Sequence, residues 1–295
     1  MMSARFLTVV LERAFNMRDG FGREIDYMRI SVIDSCNLNC YYCNPCDNNE
    51  HCHALNILSV KEVLCIVRAA TRLGIKHFRL TGGEPLLHPQ LDEMVLQIKK
   101  IPGVSSVSLT TNAVLLAQHA KWLKEAGIDS INVSLDTIDA SEYERITKKP
   151  LLEEVKHGIN AAIECGIRVK INVVLTPQTD VVALTRYVAK KGTDIRFIEM
   201  MPVGEGHTNG VEPYKKVIGT LSKLYGEPCR INTEKTKEIN SGNDKRKIPD
   251  NGPAEYYIFP ELGIRVGLIQ AIHGKFCDTC NRIRVTADGR LMPCL

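Results

Sequence analysis

The chain has 295 residues, 44% of them hydrophobic, enough to bury one large α/β domain or a barrel with a small appendage. Its 38 basic and 34 acidic residues leave a net charge of +4, too weak for sequence-independent nucleic-acid binding but compatible with a local anion pocket. Eleven cysteines without a secretory signal or a long apolar run point to a reducing cytoplasm in which thiols serve metals rather than disulfides.

In chain order, residues 1–16 read as an N-terminal extension with a short helix. A first strand is predicted at 27–33 (YMRISVI), where β-branched and apolar residues dominate. Similar short runs follow at 76–80, 104–109, 129–134, 168–174 and 194–199. Between them the spacing predicts helices at 59–73, 89–100, 114–126, 153–165 and 182–191. The first of these starts at Ser59, an N-cap with Glu62 three positions on, and carries Val60, Val63, Leu64 and Val67 as one apolar stripe. Strands alternating with helices imply parallel pairing with right-handed crossovers. Six such units suggest an incomplete (β/α)6 version of the TIM-like barrel over residues 17–202, with its reacting groups at the strand C-terminal ends. From about residue 203 the pattern changes to a glycine-rich stretch, a helix near 213–224, a polar loop holding Lys245, Arg246 and Lys247, and strands at 255–259, 263–269 and 282–287. Residues 203–295 are therefore expected to form a small C-terminal cap.

The cysteines carry the chemistry. Cys36, Cys40 and Cys43 are spaced C-x3-C-x2-C directly after the first strand, and Cys277, Cys280 and Cys294 are spaced C-x2-C-x13-C in the cap. Each triplet could hold a 4Fe-4S cluster by three irons, leaving a fourth iron without a protein ligand for a small molecule. A structural zinc site closes all four tetrahedral positions, usually with paired C-x2-C units, and neither triplet closes alone. For the second triplet, zinc or a purely structural cluster stays open as an alternative. Cys65 and Cys165 read as inert core thiols, and Cys229 as a small buried hydrophobe.

The cysteine loop with an aromatic before its last cysteine, and the Gly-Gly-Glu-Pro run at 82–85, resemble the radical S-adenosylmethionine superfamily. More closely, the chain resembles the GTP 3′,8-cyclase (MoaA-like) family of molybdenum cofactor biosynthesis. The matching stretches are GREI at 22–25, RISV at 29–32, the Cys36 loop, RLTGGEP at 79–85, LTTN at 109–112, NVSLD at 132–136, RFIEMMPVG at 196–204, GPAEYY at 252–257 and FCDTCNRIR at 276–284.

That resemblance implies two 4Fe-4S clusters, held by Cys36, Cys40 and Cys43 and by Cys277, Cys280 and Cys294. It implies S-adenosyl-L-methionine (SAM) contacts at the backbone of Tyr42, Gly83 and Met201 and the side chain of Ser134. The expected GTP contacts are Arg29, Arg79, Thr110, Lys170, Arg282 and Arg284, where rigid, always-protonated guanidinium forks suit a triphosphate. Strand alternation independently places Arg282 with Arg284, and Arg168 with Lys170 and Asn172, on single faces. The implied activity is that of a lyase: reductive cleavage of SAM, hydrogen abstraction from C3′ of GTP and closure onto C8. A peptide-modifying radical SAM enzyme and a non-catalytic iron-sulfur module are the alternatives. The implied partners are a low-potential electron donor such as flavodoxin or ferredoxin, a downstream cyclic pyranopterin synthase and a second copy in a homodimer, with no nucleic acid or membrane.

Three departures from the family pattern stand out. Cys46 and Cys52 are spare thiols beside the first triplet, and Ala113 stands where glycine usually follows LTTN and would resist a positive φ. Family members usually run on for some tens of residues to a Gly-Gly tail, so a chain ending at Leu295 is expected to be a truncated form.

Overall fold

The computed structural model describes residues 17–43, 56–201, 211–231 and 252–294. The N-terminal extension, Cys46, Cys52, the glycine-rich stretch at 204–210 and the 245–247 basic run lie outside them. The six expected strands are all present as β1 (Tyr27–Ser31), β2 (His77–Thr81), β3 (Ser106–Thr111), β4 (Ser130–Ser134), β5 (Arg168–Leu175) and β6 (Asp194–Glu199). They alternate with α1 (Val60–Arg72), α2 (Leu91–Lys99), α3 (Leu116–Glu125), α4 (Ala140–Thr147), α5 (Leu152–Glu164) and α6 (Val181–Lys190). Ser59 and Glu62 form the reciprocal capping box expected for α1. The short α4, capped by Asp139, was not anticipated from the sequence.

After α7 (Gly219–Tyr225) come β7 (Cys229–Ile231), β8 (Glu255–Ile258), β9 (Arg265–Ile269), β10 (Arg282–Val285) and β11 (Leu291–Met292). The strand order is β11-β10-β1-β2-β3-β4-β5-β6-β9-β8-β7 in one open sheet. The C-terminal strands thus extend both edges of the six-strand unit: β10 pairs parallel with β1, and β9 pairs parallel with β6. The outermost strands are antiparallel and only two and three residues long, which limits the exposed pairing edge.

Alternation divides the sheet into two faces. Ile30, Phe78, Leu80, Val107, Leu109, Ile131, Val133, Ile171, Val173, Ile195 and Phe197 are fully buried and join the helices in one hydrophobic core. The opposite face is polar on nearly every strand, carrying Arg282 and Arg284, Arg29, Arg79, Ser108, Thr110, Asn132, Lys170, Asn172 and Arg196. That face is itself sheltered, since Lys170, Asn132 and Arg196 are buried and the other arginines half-buried.

Candidate active site

Cys36, Cys40 and Cys43 lie on the loop that leaves the C-terminal end of β1. None forms a disulfide, and Cys36 and Cys43 are exposed. The Leu38 N–H and the Asn112 side chain, at 3.5 and 3.8 Å, donate to the Cys36 sulfur. Cys40 hydrogen-bonds Cys43, and this, followed by burial, pushes the Cys40 thiol up. The same hydrogen bond holds Cys43 below the usual thiol value although burial opposes it.

The loop is fastened from three sides. The Asn39 and Tyr41 amides donate to Thr147 and Ile146 carbonyls at the end of α4. The Tyr42 hydroxyl donates to the Asp136 carboxylate beyond β4. The third fastening is the run at 82–85: the amides of Gly83 and Glu84 donate to Ile33 and Ser35 carbonyls at 2.7 and 2.8 Å. A Cβ at Gly83 would stand 2.3 Å from the carbonyl oxygens of both Asp34 and Ser35. The glycine is therefore required by the loop's own backbone, independently of any ligand. Glu84, 1% exposed, accepts from the Leu86 and Asn112 amides and the Thr111 hydroxyl, tying the β2 loop to the β3 loop.

Asp136 is buried, and burial pushes its carboxyl up to about 6 despite the Tyr42 hydroxyl and the Val174 N–H at 2.7 Å. An unfolded aspartate ionises near 3.9, so between about pH 4 and 6 the unfolded chain releases a proton that the folded chain keeps, and stability falls as pH rises through that window. Asp136→Asn keeps both hydrogen bonds in reach without the charge. Its thermal-unfolding advantage over the native protein is expected to grow between pH 4 and pH 7, by about 2 kcal/mol; a pH-independent difference counts against it.

The other expected SAM contacts gather at the same end of the sheet: Gly83 follows β2, Ser134 ends β4 with an exposed side chain, and Met201 follows β6. Ala113, just past β3, does adopt the left-handed conformation at φ 65°. Its amide donates to Thr111 Oγ1 and the Val114 amide to Asn112 Oδ1, local bonds that hold a turn favouring glycine.

The second triplet lies at the other end. Cys277 and Cys280 precede β10, which runs parallel to β1, so they sit by the N-terminal end of β1 while Cys36 follows its C-terminal end. The β10–β11 hairpin, with Arg284 opposite Met292, returns the chain toward that end and delivers Cys294. Length of β1, about 17 Å of extended chain, lies between the two loops. Arg23, braced by Asp19, donates to the Cys277 carbonyl at 2.6 Å. Burial alone would raise the Cys280 thiol, but Arg282, with help from Arg23, holds it below the usual value. Each triplet offers three thiols free of disulfides, one short of the four ligands that a closed zinc site takes.

Between the two loops runs a cationic row. Arg284, Arg29 and Arg79 are cross-strand neighbours, with Arg282 one step nearer the second triplet. Burial first, then Arg284, Arg79 and Arg282, pushes Arg29 down to about 9, so the group still carries its charge at neutral pH under strong mutual repulsion. Arg79 donates to Ser108 at 3.0 Å and lies over the Tyr27 ring. Such crowding suits a polyanion. One step toward the Cys36 loop, Thr110 and Lys170 flank Asn132 in register. Past them, Arg196 donates to Asn172 at 2.9 Å and crosses Gly267, where a Cβ would meet its chain at 2.8 Å. Sequence reasoning gave no role to Asn132, Asp136 or Arg196, although the polar alternation of β4 and β6 marks two of them. A separate cavity of about 670 Å³ opens beside Arg230, Lys275, Phe276 and Thr279; it adjoins the second triplet but none of the cationic row lines it.

Two thiol readings change: Cys65 is exposed, because it sits 200° around α1 from buried Val63, and Cys229 is exposed on the short outermost β7, whereas Cys165, partly buried, packs against the core.

This sheet, with an open three-thiol loop at its C-terminal end, is the frame of a radical SAM enzyme. Residues 30–184 match the radical SAM superfamily and residues 193–295 match Molybdenum Cofactor Synthesis C. Solved structures agree in fold: SuiB of Streptococcus suis bound to S-adenosylmethionine, at TM-score 0.63 and 15% identity, covers 92% of this chain and is itself 60% covered. Native anSMEcpe with bound AdoMet, at TM-score 0.60 and 18% identity, covers 91% of this chain and is 74% covered. The GTP 3′,8-cyclase of Clostridium perfringens (strain SM101) is 37% identical over 282 residues, 95% of this chain and 83% of its own. That of Pelotomaculum thermopropionicum is 38% identical over 286 residues, with 95% and 84% covered. The chain belongs to the GTP 3′,8-cyclase family of the radical SAM superfamily. No described helix is long and apolar enough to cross a membrane.

Proposed function

We propose that this chain converts GTP to (8S)-3′,8-cyclo-7,8-dihydroguanosine 5′-triphosphate, the first step of molybdenum cofactor biosynthesis. The observation that carries the reading is a row of mutually repelling arginines on a sheltered sheet face between two three-thiol loops at opposite ends of the same strands. Cys36, Cys40 and Cys43 would hold one 4Fe-4S cluster, with Tyr42, Gly83, Ser134 and Met201 lining the SAM site around it. When bound, cluster and SAM supply a hydrogen-abstracting 5′-deoxyadenosyl radical. Cys277, Cys280 and Cys294 would hold a second 4Fe-4S cluster facing the guanine.

The chain's own part is to bind and orient. Arg29, Arg79, Arg282 and Arg284 take the triphosphate, and Thr110 and Lys170 meet the nucleotide nearer the Cys36 loop, so that the ribose is presented to the cofactor. Repulsion among the arginines leaves the ligand-free site poised for an anion rather than for a neutral ligand. A small low-potential donor such as flavodoxin or ferredoxin would reduce the first cluster in the cytoplasm, a cyclic pyranopterin synthase would take the product, and a homodimer is the assembly expected.

Arg284→Ala is expected to weaken GTP binding by about 1.5 to 3 kcal/mol, the range for hydrogen bonds to charged groups. Because it also relieves repulsion on Arg29, it is expected not to lower the unfolding temperature of the ligand-free protein. Isothermal titration with GTP and a melting curve check both halves, and unchanged affinity moves the triphosphate elsewhere. The activity itself is tested anaerobically with reconstituted protein, dithionite, SAM and GTP, reading 5′-deoxyadenosine and cyclised nucleotide by mass spectrometry. Both products are expected; 5′-deoxyadenosine without a GTP-dependent cyclised nucleotide overturns the substrate assignment.

A further inference from the structure

Two neighbouring polar atoms on the sheltered sheet face are buried without a hydrogen-bond partner, the Thr110 hydroxyl on β3 and the Asn132 amide oxygen on β4. Thr110 stands opposite Asn132 in register, and Asn132 stands opposite Lys170 on β5. Asn132 is 2% exposed, while Ile131 and Val133 on either side turn into the helix-packed core. An orphaned buried acceptor destabilises a fold, and an apolar side chain at 132 would remove that cost. The unmet acceptor points to a donor that arrives from outside the chain.

Position and charge narrow the donor. The orphaned Asn132 atom is an acceptor and a phosphate offers only acceptors, so the triphosphate does not meet it and belongs one step away on Arg29 and Arg79. One step the other way on the same strand is Ser134, at the end where the Cys36 loop fastens. Asn132 therefore lies at the level between the triphosphate row and the cofactor end, where the two sugars must meet if one abstracts hydrogen from the other. The donors that sugars offer are hydroxyls.

We propose that Asn132 is a positioning residue whose amide oxygen accepts a hydrogen bond from a ribose hydroxyl, with Thr110 beside it, at the junction of nucleotide and cofactor. The proposal rests on the nucleotide reading given above. Both the nucleotide triphosphate and SAM carry such hydroxyls, and the experiment separates them.

Asn132→Leu removes the acceptor at similar volume, and Asn132→Asp keeps it. With reconstituted holoenzyme, KM and kcat are measured separately for GTP and for SAM, and unfolding temperature is measured on ligand-free protein. Asn132→Leu is expected to raise KM about tenfold for one ligand, the size of one net hydrogen bond, without lowering the ligand-free unfolding temperature. Asn132→Asp is expected to recover most of that loss. A raised KM for GTP, with 5′-deoxyadenosine formed in excess over cyclised nucleotide, assigns the hydroxyl to the substrate; a raised KM for SAM assigns it to the cofactor. Unchanged KM for both ligands overturns the proposal, as does a lowered ligand-free unfolding temperature with both KM values intact, the mark of a purely structural amide. If the native protein makes no cyclised nucleotide, the nucleotide reading has failed and the SAM arm, read by 5′-deoxyadenosine, still decides the role of Asn132.

Discussion

Cys36→Ala is expected to abolish reductive cleavage of SAM, lowering 5′-deoxyadenosine formation at least a hundredfold, about 3 kcal/mol of activation free energy. A cluster bound through three irons loses one of its three ligands, and among the described residues the groups that hydrogen-bond the Cys36 sulfur are the Leu38 backbone N–H and the Asn112 side-chain amide, which bind iron poorly. Cys65→Ala is the matched control, an exposed thiol on α1, and is expected to leave turnover unchanged. Iron content, visible absorption and 5′-deoxyadenosine are read on both proteins after identical reconstitution. Near-native cleavage by Cys36→Ala would move the cofactor's iron to other ligands and remove the basis of the reading.

The second large effect is structural. Gly83→Ala is expected to cost about 3 kcal/mol of stability, because its Cβ overlaps two main-chain carbonyl oxygens rather than a side chain that could swing away. Relief requires the 82–85 run to lift off the loop, which breaks the bonds from the Gly83 and Glu84 amides to Ile33 and Ser35. Gly219→Ala, at the start of α7 with open space around it, controls for the loss of a glycine and is expected to be neutral or slightly stabilising. In ligand-free protein the Gly83 variant should melt roughly 5 °C lower. Equal melting of the two variants would mean that the two loops are not wedged together as described.

Local signals in the sequence were strong where one periodicity ruled. β1 to β6 alternate apolar and polar residues, and α1 opens on a capping box, so both strands and helices could be placed within a few residues. α4 escaped because its eight residues bury only Tyr143, Ile146 and Thr147, although Asp139 followed by Glu142 is a legible start signal. What no local pattern could give was the pairing of β10 with β1, which brings Arg284 beside Arg29 across most of the chain. The cap was expected as an appendage, and its strands instead complete the sheet. Resemblance gave Gly83 a SAM contact, but that the space of its missing Cβ is taken by the Asp34 and Ser35 carbonyls is a tertiary fact. Resemblance supplied the role of Ser134; it could not supply Asn132, whose signal is an unmet hydrogen bond visible only in three dimensions.

Covering both edges of the six-strand unit with late strands sets the order of events on the ribosome. Asp26, at the foot of β1, bonds Asn281, 255 residues further on. At 5 to 20 residues per second, roughly 13 to 50 s pass between synthesis of the two. Throughout that interval the β1 edge is an unpaired template for any neighbouring chain. Biogenesis of this protein is therefore exposed to misassembly until its last strands are made, and its yield should track chaperone supply more closely than its finished stability.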